Sequence, residues 1–115
     1  MGLGWTVIGA GLRAGRDEID ILAVEPGPPA TLVFVEFRSH TTGRYGTPEE
    51  SVDRDKVRRL YRAAATLGRT GRLPGGAPLP RLPWRVDLIA IELGPQLGRG
   101  MGGTLIRHHA GLIPD

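Results

Sequence analysis

The stretch Asp17–Arg38, DEIDILAVEPGPPATLVFVEFR, decides the fold. Within it, Asp17–Val24 (DEIDILAV) places Ile19, Ile21 and Ala23 on one side of an extended chain and Glu18, Asp20 and Leu22 on the other, because successive strand side chains face opposite ways. Glu25–Ala30 (EPGPPA) is a turn, in which proline fixes φ and glycine tolerates a positive one. Thr31–Arg38 (TLVFVEFR) is β-branched and aromatic, apolar on both faces at its start and charged only at Glu36 and Arg38. That is the pattern of a central strand whose end becomes polar abruptly. Paired as a hairpin, the two strands can turn Glu18 with Asp20 and Glu36 with Arg38 to one side of the sheet. Carboxylates gathered there repel one another unless a proton or a cation intervenes, and a hard divalent cation such as Mg²⁺ suits such oxygen ligands. Spacing alone equally allows Glu18 to stand in water at the start of its strand and Glu36 simply to pair with Arg38.

Upstream, Trp5–Leu12 is a weaker strand loosened by Gly9 and Gly11. Gly9, Gly11 and Gly15 imitate a phosphate-binding fingerprint, but no helix follows them, so that reading fails. Downstream, His40–Pro48 is a loop, and Asp53 is the N-cap of a helix running to about Leu67; Thr47, Pro48 and Glu50 offer a second, earlier capping-box start. Val57, Leu60, Tyr61, Ala64 and Gly68 form its buried stripe, and Arg54, Arg58 and Arg62 recur every four residues on the opposite side. Lys56 lies at the edge of the apolar stripe. Arg69–Pro83 (RTGRLPGGAPLPRLP) is too rich in proline and glycine for regular structure and is expected to be a flexible basic loop. Trp84–Leu93 alternates into a further strand, Leu93–Gly103 is a turn, and Thr104–His109 is a short last strand. A helix between two parallel neighbouring strands implies a right-handed crossover.

The chain has 115 residues, enough for one core and therefore for a single domain over 1–115. It has no cysteine, which excludes a disulfide framework, a Cys-ligated metal and a thiol nucleophile. No apolar run reaches the roughly 18 to 20 residues of a membrane span and no signal core is present, so no membrane partner is expected and the expected location is the cytoplasm. The net charge of +3 permits an anionic partner without demanding one. Lys56 is the only lysine, and the other basic residues are all arginine.

The segments GWTVIGAGLRAGRDEIDILAVEPGPPATLVFVEFR, YGTPEESVDRDKVRRLYRAAATLG and WRVDLIAIELGP together resemble, in order, the YraN family of small bacterial proteins. That family lies within the PD-(D/E)XK nuclease superfamily and looks like the archaeal Holliday junction resolvases. The resemblance implies a restriction-endonuclease-like α/β fold with a mixed sheet: a three-strand meander, a crossover helix, then further strands. It also implies that Asp20 and Glu36 ligate Mg²⁺ or Mn²⁺, with the backbone carbonyl of Phe37 as a third oxygen, and that Glu18 corresponds to the acid kept just before the aspartate. DNA, branched DNA included, is the implied partner and substrate, cleaved by metal-activated water.

Three positions depart from the family. The lysine of its E-x-K motif is replaced by Arg38, which binds phosphate in a fork but is a poor proton acceptor. Either Arg38 keeps the electrostatic part of that lysine's work, or Lys56 reaches the site and replaces it, or catalysis is lost and a nucleic-acid-binding protein remains. An ordinary snorkelling role for Lys56 is the plainer reading. Met1–Gly4 leaves no room for the helix that precedes the first strand in relatives: either the true start lies upstream, or the helix is dispensed with, and the second case would bare an apolar sheet face and favour a homodimer. Asp17 stands where relatives usually carry glycine. Arg54, Arg58, Arg62, Arg69 and Arg72 are candidates to grip phosphates, although a solvated helix face explains the first three as well. His40, His108 and His109 lack metal-ligand spacing, and Trp5 and Trp84 read as packing residues.

Overall fold

The computed structural model describes residues 4–41, 46–93 and 104–114. In chain order these hold β1 (Thr6–Ala14), β2 (Asp17–Glu25), β3 (Thr31–Thr41), a 3₁₀ turn (Pro48–Ser51), α1 (Arg54–Thr70), β4 (Trp84–Leu93) and β5 (Thr104–His109). One five-stranded sheet runs β1-β2-β3-β4-β5. Its β1–β2, β2–β3 and β4–β5 pairs are antiparallel and β3–β4 is parallel. The three-strand meander, crossover helix and further strands of the sequence reading are all present, a mixed α/β arrangement consistent with the restriction-endonuclease-like fold. Among the described residues, no helix precedes β1 and none is long and apolar enough to cross a membrane. The expected turn falls largely at 94–103, and part of the expected His40–Pro48 loop at 42–45; both stretches lie outside the described residues.

Helix α1 starts where Asp53 accepts the Lys56 backbone N–H at 2.9 Å. The alternative start also forms, as the separate 3₁₀ turn, with the Thr47 N–H and hydroxyl 3.1 and 3.2 Å from the Glu50 carboxylate. The helix ends at Gly71, whose φ of 67° is left-handed backbone and whose N–H bonds the Leu67 carbonyl at 2.9 Å. Its buried residues are Val57, Leu60, Ala63, Ala64 and Leu67. Gly68, expected in the stripe, is exposed, because the buried face is centred on Leu60, Ala63, Ala64 and Leu67. These side chains pack on Leu22, Leu32, Phe34 and Val86 of the sheet. Full burial of a residue such as Leu60 contributes about 1.5–3 kcal/mol. The helix runs to Thr70, past the expected end near Leu67, so Arg69 and Thr70 are helical rather than loop, and 71–83 carries an Arg72–Pro78 bridge with Leu73, Leu79 and Leu82 packed on the same core.

The other sheet face carries Val33, Val35 and Ile89, with Trp5, Ile21, Phe37 and Ile91 packed around them. Simple alternation along β2 breaks down here. Ile19 joins the helix-side cluster while Ile21 packs with the far face, although both were expected on one side. The split falls at Asp20, which pairs with neither neighbouring strand: β1 pairing passes from Ala10–Ile21 to Leu12–Ile19 without a Gly11–Asp20 pair, and β3 pairing stops at Ile21–Val35, so β2 is free to twist there. Gly11, with a φ of 57°, lies beside the gap, while the register shift of β1 lies between Val7 and Gly9.

On the far face, Asp87 is a fully buried carboxylate. It accepts from Arg85 Nε at 2.9 Å and Nη2 at 3.1 Å, from the Gly111 N–H at 3.0 Å, and is 2.7 Å from His108 Nε2. Burial pushes its pKa up, but the bonds from Arg85, Gly111 and His108 outweigh that and hold it below the ordinary range. Arg85 also bonds Glu25 and lies 5.5 Å over the Trp5 ring, which meets His108 edge-on. Trp84 packs against Phe34 and Tyr61. Both tryptophans are thus in packing contacts, and His108 and His109 serve carboxylates, the latter 2.8 Å from Glu49.

Candidate active site

The β2–β3 pairing ends at Ile21–Val35. The next two residues to face each other would be Asp20 and Glu36, but there the strands part. Asp20 Oδ2 instead accepts the Phe37 backbone N–H at 2.9 Å, replacing the ladder bond with a side-chain one. A strand residue directs its N–H and C=O to the same edge, so the Phe37 carbonyl faces the side occupied by Asp20. The sequence reading brought Asp20, Glu36 and this carbonyl together, and the structure places all three at the parting of the two strands.

Glu36 is 4% exposed. Burial raises its pKa, the Asp20 charge raises it further, and a hydrogen bond with Asp20 adds to both; the positive charges of Lys56 and Arg38 pull the other way without cancelling the rise. Asp20 is thus the neighbouring acid whose charge Glu36 feels. Arg38 Nε is 3.0 Å from Glu36 Oε2, yet its N–H is not aimed at the oxygen and has no hydrogen bond. Lys56 Nζ approaches the same oxygen to 3.6 Å. The Asp53 cap fixes the first turn of α1 and with it the direction from which the lysine enters.

A cleft of about 300 Å³ opens beside these groups. Its walls are Asp17, Glu18 and Asp20 from β2, Arg16 from the β1–β2 turn, and Lys56, Arg59 and Leu60 from α1. Glu18 is exposed, and Glu36, Phe37 and Arg38 stand behind the lining, with Asp20 and Lys56 between them and the open space. The donor types suit a small hard cation: the Asp20 and Glu36 carboxylates, a backbone carbonyl on the same side, and room for water beside Asp20. No group of three His, Cys, Asp or Glu side chains is assembled among the described residues, so carbonyl and water oxygens would complete the shell. His40 follows Arg38 on the same face of β3, with Nδ1 buried and unbonded.

The arginine row is divided by the structure. Arg62 is held by two 2.8 Å bonds to Asp17, whose pKa those bonds depress, and this pair ties the β1–β2 turn to the helix. Arg58 is 3.1 Å from Asp55. Arg54 is exposed at the start of α1, Arg69 contacts Thr66, and Arg72 donates to the Gly76 carbonyl. Arg16 and Arg59, absent from the sequence reading, are the arginines that line the cleft. Arg59 was findable, since it follows Lys56 by three residues and shares its side of a helix. Arg16 carries no such signal, because its position depends on how the β1–β2 turn folds back toward α1.

The pattern of the Uncharacterised protein family UPF0102 matches residues 1–91. The chain is similar to a UPF0102 protein of Symbiobacterium thermophilum, 39% identical over 93 residues, 80% of this chain and 70% of that one. It is also similar to one of Desulfosudis oleivorans, 39% identical over 91% of this chain and 74% of the relative, and to one of a Mycobacterium species, 36% identical over 82% and 64%. With a family pattern spanning most of its length and relatives at this level of identity, the chain belongs to the UPF0102 (YraN) family.

Proposed function

We propose that this chain is a Mg²⁺- or Mn²⁺-dependent endonuclease that hydrolyses phosphodiesters of DNA, branched DNA included. The observation that carries the reading is the pair Asp20 and Glu36 where β2 and β3 part, Asp20 accepting the Phe37 N–H at 2.9 Å and the chain's only lysine standing 3.6 Å from the buried Glu36. A buried acid kept beside another acid destabilises the fold unless it serves a ligand.

In this reading Asp20, Glu36 and the Phe37 carbonyl would hold the cation, which when bound would supply an acidified water and polarise the phosphodiester. Lys56, on the cleft wall, places a positive charge against the negative charge that develops at phosphorus. Arg38 stays protonated, so it anchors Glu36 and takes no proton. Glu18, exposed in the same wall, is free to orient water. Lys56 thereby takes the part of the lysine that Arg38 replaces. Phe37 and Ile91, on the far face of the sheet, are only partly buried, which supports a homodimer presenting two such centres.

Asp20→Asn and Glu36→Gln, assayed with Mn²⁺ on linear and four-way-junction DNA, should each abolish cleavage while leaving the fold intact. Cleavage unchanged in both variants refutes the assignment. The second reading, a binding protein without catalysis, is favoured by Arg38; it predicts DNA binding in chelator and no product with either metal.

A further inference from the structure

We infer that Arg16 and Arg59 form a phosphate-binding subsite that seats the nucleic-acid backbone one step along from the bond attacked at Asp20 and Glu36. The inference rests on the nuclease reading for its ligand and goes beyond it in naming residues. A second cleft, of about 470 Å³, adjoins the first and is lined by Arg16, Asp55, Arg58, Arg59 and Arg62. The two clefts share Arg16 and Arg59.

Their charges differ sharply. The first cleft sets three carboxylates against two arginines and a lysine, as a cation site beside a phosphate requires. In the second, four arginines face the single carboxylate of Asp55. Two of the four are already engaged, Arg62 with Asp17 and Arg58 with Asp55. Arg16 and Arg59 form no ion pair among the described residues, and both are exposed.

Their supports are firm. Arg59 rides on α1, and Arg16 follows Gly15, whose φ of 63° sets the β1–β2 turn. The Asp17–Arg62 pair clamps that turn to the helix, so the two free guanidiniums are held on either side of one groove. An acidic peptide would meet Glu18 and Asp20 on leaving this groove. A phosphodiester backbone meets instead a place where a metal neutralises those carboxylates, so the continuous ligand that suits both clefts is a nucleic-acid strand.

The test is binding of labelled duplex and four-way-junction DNA to the full chain in chelator, across salt concentrations. Two lost phosphate contacts lower the slope of log K against log salt by about 1.8, so a rise from about 50 to about 200 mM salt weakens the wild type about tenfold more than the Arg16→Gln, Arg59→Gln variant. The Arg16→Lys, Arg59→Lys variant should restore the slope, and Arg81→Gln, away from both clefts, should leave it unchanged. A double glutamine variant that keeps the wild-type slope, or wild-type protein that does not bind DNA, overturns the subsite. Asp20→Asn separates the two readings. If it cleaves normally while the double variant loses its slope, the catalytic reading fails and the subsite stands.

Discussion

Replacing Lys56 with methionine is the sharpest test of how this site would work. Lys56 Nζ lies 3.6 Å from Glu36 Oε2, and its side chain is 22% exposed. At an effective dielectric of about 20, a unit charge at that distance interacts with its partner by roughly 4 to 5 kcal/mol, an upper bound that water at the cleft mouth reduces. Loss of one charge-stabilising donor from a hydrolase site typically lowers kcat by about 10²–10³, equivalent to about 2.7–4 kcal/mol. The ground-state attraction fixes where the ammonium stands, and the donor-loss figure places the expected loss for Lys56→Met at about a hundredfold or more in kcat. KM should change little, since Arg16 and Arg59 remain. Methionine preserves the length of the stem at the edge of the helix's apolar stripe, so the fold should survive. The assay is single-turnover cleavage with Mn²⁺, run beside Arg38→Gln and Arg38→Lys. Lys56 lines the cleft beside Asp20, whereas Arg38 reaches only Glu36, which like it stands behind the lining, so Arg38→Gln should cost less than Lys56→Met and Arg38→Lys should bring little gain. Full activity in Lys56→Met with none in Arg38→Gln would refute the reasoning and return the electrostatic role to Arg38.

Asp87→Ala should destabilise the domain by about 3–5 kcal/mol in urea unfolding, because it leaves Arg85 and His108 without their buried partner; a loss under about 1 kcal/mol contradicts the network. Acid titration of stability has a defined direction. Arg107 bonds and a His109 contact hold the Glu49 carboxyl well below its ordinary 4.5, and Arg85 does the same for Glu25. Depressed carboxylates stabilise the fold above about pH 4.5 and lose that contribution as pH falls toward their folded values. Glu36 has the opposite sign: its raised pKa favours the folded state at low pH, and this is lost as pH rises past 4.5. Glu36→Gln should therefore be more stable than wild type at neutral pH, measured by thermal melting without metal, and a lower melting temperature would contradict the burial argument.

The sheet was legible from sequence because its signals are local. TLVFVEFR can only be a buried strand with a polar end, and Asp53 with Gly71 brackets a helix by rules that act within a few residues. The site was legible in part for the same reason: Asp20 and Glu36 fall opposite each other once the turn between them is recognised. What escaped depends on contacts distant in sequence. The split of Ile19 and Ile21 between faces falls at Asp20, where pairing with both neighbouring strands lapses, and the engagement of Arg62 follows from Asp17, 45 residues away. Regular arginine spacing on α1 identified an exposed face but could not show which guanidiniums were already taken. Arg59 and Arg16 emerge only when the turn and the helix are seen together.

The parting of β2 and β3 at Asp20 gives the two acids different fates under selection. Asp20 closes the hydrogen-bond account of Phe37, so a lineage that abandoned cleavage would still keep an acceptor there to hold its sheet. Glu36 is buried beside another acid, and burial raises its pKa, so on the nuclease reading it is metal binding that would retain it. Among descendants of such a chain, an aspartate at position 20 would record that the fold persists. A glutamate at position 36 would record, on that reading, that the chemistry does.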